Sequence, residues 1–185
     1  MDFIHGLLNR VSVARLEAPA PSDAQLELMI QAGLRAPDHG NLKPWRSVLV
    51  KGEGLNRLGV LLQKAQLARN PDSDEAVLER CLKMPHRAPS ILVLIASPKE
   101  HPKVPVEEQI QATAAAANAM LLAAHGQGIG AVWRTGWVVQ DPAIKQAFNL
   151  QQGEQMIGMI YLGKPVVALK PVPVISSERF IQAWD

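Results

Sequence analysis

Residues 106–127 are one long stretch of helix-forming character, and any fold of this chain must find room for it. Ala, Gln, Glu, Leu and Met dominate it, and all are strong helix formers. Its small side chains let neighbouring elements approach closely, which suits a helix at the centre of a fold or of a dimer. High alanine propensity alone would explain the helix equally well. Gly128-Ile-Gly130 supplies the stop, as glycines do after helix C-termini. Asn118 interrupts the apolar-looking part, and alanine is too weakly hydrophobic to favour a membrane span.

Around this helix the pattern is mixed. Phe3, Ile4, Leu7 and Leu8 recur at helical spacing, which predicts a short helix over 2–9. Ser22 followed by Gln25 is a capping box, and Leu26, Met29, Ile30, Gly33 and Leu34 form an apolar face behind it, ended by Pro37. Helices are also predicted over 55–68, 73–82 and 142–148, the last with Asp141 as N-cap. Residues 47–50 and 156–162 read as strands, and 131–135 as a short extended segment. The continuous apolar run 91–96 reads as a fully buried strand. After Gly163 the chain is punctuated by prolines and reads as an extended tail. Helices and strands do not alternate regularly, so the class is α+β rather than doubly wound.

Bulk properties exclude several roles. A chain of 185 residues suggests one domain over 1–185, able to build a core without staples. A net charge of +2 gives no basic field for nucleic acid. The N-terminus lacks the pattern of a secretory signal, so the cytoplasm is the expected location, with no membrane partner. The lone cysteine, Cys81, permits no disulfide within the chain and reads as an inert buried thiol. No pair of histidines has metal-ligand spacing, so no metal site is expected. GxGxxG and GxxxxGK[ST] are absent, so the standard dinucleotide and phosphate-loop fingerprints are missing.

Three segments stand out as candidate chemistry. In Arg10-Val-Ser-Val-Ala-Arg15 an arginine and a hydroxyl two residues apart point to one side of an extended chain and could grip a phosphate. Charged residues are mostly exposed, so from spacing alone a solvated basic turn is the default. Residues 35–45 form an irregular loop offering Arg35, His39, Asn41 and Lys43, with Trp45 packed at its end. His39 reads equally as a solvated or a ligand-binding side chain. In Trp133-Arg-Thr-Gly-Trp137 a planar ligand could stack while backbone N–H groups reach its edge; an apolar surface plug is the alternative.

The order of these features along the chain resembles the nitroreductase family. RxSxxR follows the first helix, and AP-D-H-x-N-x-KPW follows the second. An apolar strand follows Ala88-Pro89, and an alanine-rich helix ends in GxG before WRTGW. The similarity runs from about Asp2 to Lys164 and is strongest to the short YdjA-like branch. It implies a three-layer α/β/α fold, with a central, mainly antiparallel (mixed) sheet flanked by helices in a homodimer, FMN lying at the subunit interface. Arg10, Val11 and Ser12 match the segment at the phosphate and flavin edge. Arg35 and His39 match positions that reach the flavin from the partner chain, and Trp133, Arg134 and Thr135 match the segment that lines the isoalloxazine through backbone hydrogen bonds. Arg10 is the candidate for stabilising the anionic reduced flavin. Arg134 matches either the phosphate or the ring edge.

Two positions depart from the family pattern. Val11 stands where many relatives carry a second basic residue, and the tail ends Gln-Ala-Trp-Asp rather than with a basic residue. Arg15 or Lys164 is the available substitute. The tail, from about residue 164 to 185, is expected to pack on the partner subunit. The implied activity is ping-pong transfer of hydride from NADH or NADPH through FMN to a nitroaromatic, quinone or similar small-molecule acceptor, with no catalytic side chain beyond the cofactor. The alternatives are a non-catalytic flavin-binding or storage protein of the same fold, and a cofactor-free structural dimer.

Overall fold

A computed structural model describes residues 2–169 and 171–184. In chain order it contains α1 (Phe3–Asn9), β1 (Leu16–Glu17), α2 (Asp23–Gly33), β2 (Trp45–Lys51), α3 (Glu53–Arg69) and α4 (Glu75–Lys83), then β3 (Ser90–Ala96), α5 (Val106–Gly126), β4 (Gly130–Arg134), α6 (Pro142–Ala147) and β5 (Gln155–Pro165). The helix ends carry the expected caps. Ser22 Oγ accepts from Gln25 N–H while the Gln25 side chain accepts from Ser22 N–H, and Asp141 caps α6. Asp74 accepts from Val77 N–H as the N-cap, so α4 starts at Glu75, two residues later than predicted.

Every strand pairing among the described residues is antiparallel, in the order β1-β5-β3-β2, with β4 also on β5. Strand β3 lies inside the sheet, which explains a run with no polar alternation: both its faces are covered. Ile91, Val93 and Ile95 face α3, α4 and α6, packing with Leu58, Leu62, Cys81 and Ile144. Leu92 and Leu94 face the other way, onto Met29 of α2 and Ala117, Met120 and Ala124 of α5. The result is three layers, helices on both faces of one sheet. The small residues of α5 do allow a close approach. A Cβ at Gly33 of α2 would lie 2.5 Å from Met120 Cε and 3.5 Å from the Ala116 carbonyl oxygen, so a larger residue there must push the Met120 side chain aside.

Two strand details were not visible in the sequence. Register shifts between Leu94 and Ile95, so Leu94 pairs with Gly158 while Ile95 pairs with Met156, and Ile157 is the extra residue of a bulge. The bulge flips the side-chain alternation, sending Met156 to the α3 face and Ile157 to the α5 face. Strand β5 also runs three residues beyond the predicted end, because Lys164 and Pro165 pair with the two-residue β1. Far from that end, Arg46 of β2 forks onto Glu154 at 2.8 and 2.7 Å and donates to the Phe148 and Asn149 carbonyls. This pair fastens the edge strand to the α6–β5 connection.

The largest departure concerns α1. The helix forms as expected, but it buries no residue, and Phe3 and Leu8 stay 74% and 64% exposed. The tail behaves in the same way, with Val174 and Trp184 fully exposed. No helix among the described residues is long and apolar enough to cross a membrane.

Candidate functional site

Strand β4 organises two of the three candidate segments. Val13 N–H donates to Ala131 O at 2.9 Å, which lays the residues after Arg10 alongside β4. The last two residues of that strand are Trp133 and Arg134, followed by exposed Thr135. Segments some 120 positions apart in sequence are therefore neighbours in space.

At the start of β4, Arg10 and Val11 line a hollow of about 120 Å³ together with His125, Gly130 and Leu169. Ser12 is exposed beside it. Arg10 has no carboxylate within ion-pair distance among the described residues. His125 Nε2 is buried without a hydrogen-bond partner, and burial, helped by the Arg10 and His5 charges, pushes its imidazole pKa below the ordinary value. A free guanidinium beside a neutral, unpartnered imidazole is a donor set that suits an anionic oxygen. His125 escaped the sequence reading; its place in the last turn of the long helix was the available signal. Neither Arg15 nor Lys164 lines this hollow, and Lys164 is paired with Glu17 at 3.4 Å.

The middle segment is pinned in an unusual backbone conformation. Asn41 and Lys43 have φ of 53° and 48°, a region that side chains other than glycine enter at a cost. Asp38 holds them there. Its carboxylate, only 1% exposed, accepts Lys43 N–H at 2.7 Å and lies 3.1 Å from Lys43 Nζ. Burial alone would raise the pKa of Asp38, but the Lys43 N–H and ammonium bring it below the ordinary value. Arg35 and His39 are left exposed at the surface, with His39 Nδ1 2.7 Å from Glu108 in the first turn of α5.

That position separates the candidates. His39 meets α5 at Glu108 and Arg10 meets it at His125, and 17 residues of helix are about 25 Å. Within one chain the loop and the Arg10 hollow thus lie near opposite ends of the same helix. The third segment also splits, because strand alternation turns its side chains apart. Trp133 packs toward the α5 face, donating Nε1–H to Ile157 O at 3.3 Å. Gly158 makes room for it, since a Cβ there would lie 1.8 Å from the indole nitrogen. Arg134 turns to the opposite face, its guanidinium 5.6 Å from the centre of the Tyr161 ring. Cys81 is buried, and burial pushes its thiol pKa up, so it stays protonated and unreactive.

The chain resembles known proteins in sequence and in fold. The family model described as "Nitroreductase family" matches residues 7–164. YdjA of Escherichia coli strain K12, an NAD(P)H nitroreductase by name, is 37% identical over 165 residues, covering 89% of each chain. Among solved structures, a nitroreductase-like family protein from Bacillus cereus superposes with a TM-score of 0.79 at 21% identity, covering 100% of this chain and 97% of that one. A nitroreductase with bound FMN from Desulfitobacterium hafniense gives a TM-score of 0.70 at 18% identity, with each chain fully covered.

Proposed function

Since the chain belongs to the nitroreductase family, we propose that it is an FMN-dependent NAD(P)H oxidoreductase acting as a homodimer, with the flavin held where two subunits meet. The observation that carries the two-subunit reading is the separation along α5. Arg35 and His39 sit near one end of the helix and Arg10 near the other, so no ring system touches both sets within one chain. A second copy can bring its own loop to the Arg10 end.

In this reading Arg10 and Ser12 hold the phosphate side of FMN, beside the backbone of Val11 and the neutral imidazole of His125. The Trp133–Thr135 backbone meets the ring edge, and Arg35 and His39 of the second copy complete the wall. Bound FMN supplies the redox chemistry, taking a hydride from NADH or NADPH and passing the electrons to a nitroaromatic or quinone in alternating turnover. No side chain needs to act as nucleophile or general base. The Arg10 charge would attract an anionic group of the cofactor, and the stiff loop around Asp38 would fix where the partner's His39 is presented.

The test is Arg10→Ala. A charge-assisted hydrogen bond contributes about 1.5–3 kcal/mol, so FMN affinity should fall roughly tenfold to a hundredfold, read as loss of flavin fluorescence quenching. Thermal unfolding of the flavin-free protein should barely move, because Arg10 is a half-exposed side chain with no ion pair to lose. Unchanged FMN affinity would place the flavin elsewhere. A purified yellow protein that fails to consume NADH or NADPH would favour the storage reading.

A further inference from the structure

Arg134 points away from the hollow of Arg10, and its surroundings form a second site. We propose that the hollow between β4 and the turn Pro85–Arg87 binds a phosphate group through Arg87, Arg134 and Tyr161. It has a volume of about 360 Å³ and shares no lining residue with the Arg10 hollow.

Four observations carry this assignment. Arg134 Nε is buried and has no acceptor, which is costly unless a ligand supplies one. Arg134 and Arg87 both line the hollow, and neither has a carboxylate within ion-pair distance among the described residues. The lining contains no Asp or Glu at all. Tyr161 is only 2% exposed, its hydroxyl makes no hydrogen bond among the described residues, and both guanidinium charges act on that hydroxyl against the burial that pushes its pKa up. The donors are two planar forks and a phenol, with no competing acceptor, and that combination matches the oxygens of a phosphate. The stack of Arg134 on Tyr161 accounts for one face of the guanidinium and leaves its N–H edge uncommitted.

The hollow exceeds a bare phosphate, and a second one of about 550 Å³ adjoins it through Met84, Arg87 and Trp137. Room therefore exists for an esterified phosphate such as that of a nucleotide as well as for the free ion. Trp133 and Thr135, which the flavin reading sets at the ring edge, also line this hollow, so the phosphate would lie beside that edge; the assignment itself rests on the alternation of β4.

Isothermal titration of the FMN-saturated protein with inorganic phosphate tests it, so that the Arg10 hollow is already filled, with Arg87→Gln and Tyr161→Phe beside wild type. Saturable binding is expected, weakened roughly tenfold to a hundredfold by Arg87→Gln. Tyr161→Phe keeps the ring under Arg134 and should weaken binding less. Absence of saturable binding, or equal binding in wild type and Arg87→Gln, overturns the assignment. Displacement of phosphate by adenosine 2′-phosphate, dependent on Arg87, identifies a nucleotide as the source of the phosphate; failure of the nucleotide to displace it identifies the free ion.

Discussion

Strand β3 and the two ends of the chain are similarly apolar in sequence and opposite in burial. Residues 91–96 are all within 4% of full burial, whereas Phe3, Val174, Phe180 and Trp184 are at least 74% exposed. The difference lies in what surrounds them. Strand β3 has a paired strand on each edge and a helix layer on each face. Helix α1 and the tail have an apolar side that nothing among the described residues covers. A hydrophobic pattern therefore states that a segment needs cover but not which molecule supplies it, and large exposed apolar patches mark association surfaces. The two regions should respond differently to mutation, and that difference can be measured.

The largest effect is expected in the interior. Leu94 is 1% exposed between the sheet and α5, and Leu94→Ala should cost about 2–5 kcal/mol through lost transfer energy and the cavity left behind. Urea denaturation should show this loss at every protein concentration, because all of its contacts lie within one chain. A loss confined to dilute protein would place β3 among the association surfaces and erase the contrast.

Much of that interior was legible in the sequence, because its cues are local. The capping box at Ser22 and Gln25, the run 91–96 and the glycine stop after α5 each occupy a few neighbouring residues, and each forms as read. The features that escaped depend on distant partners. Strand β1 exists only because residues 164–165 reach it, and the bulge at Ile157 exists only in register with β3. The candidate site divides along the same line. Arg10, His39 and Trp133 lie in segments whose composition is locally odd. Arg87, His125 and Tyr161 sit in ordinary helix, turn and strand, and only tertiary contact gives them unpartnered polar atoms or a shared hollow. Helix α1 was placed correctly, yet its apolar face found no cover, since periodicity carries no information about a second chain.

An intermediate effect comes from the pair that fastens β2. The Arg46 guanidinium, with burial opposing it and Ser97 and the Gln151 N–H adding to it, holds Glu154 at a pKa of about 2, against an ordinary 4.5. A carboxylate depressed in the folded state contributes stability that is fully present above the ordinary value and is lost as pH falls from 4.5 through about 2. The urea midpoint of the wild type should therefore fall more steeply over that window than that of Glu154→Gln, and the two should converge at its acid end. Parallel curves would mean that the pair contributes nothing to the attachment of the edge strand. Because both partners belong to one chain, the effect should again be independent of protein concentration.

The smallest effect on the protomer is expected at Trp184, and it probes the exposed side of the contrast. The side chain is fully exposed, so within one chain it has no packing to lose, and Trp184→Ala should change the unfolding free energy of dilute protein by no more than about 0.5 kcal/mol. A large aromatic at an interface behaves otherwise, because tryptophan is among the residues whose truncation most weakens association. If the tail packs on a second copy, the wild type should scatter light as a particle of about twice the 20.1 kDa chain mass, and Trp184→Ala should move the dissociation midpoint to higher protein concentration. Stability would then depend on protein concentration at this position and not at Leu94. Equal dissociation midpoints for wild type and variant would show that the tail is solvated at its end, leaving α1 as the apolar surface through which two copies could still meet.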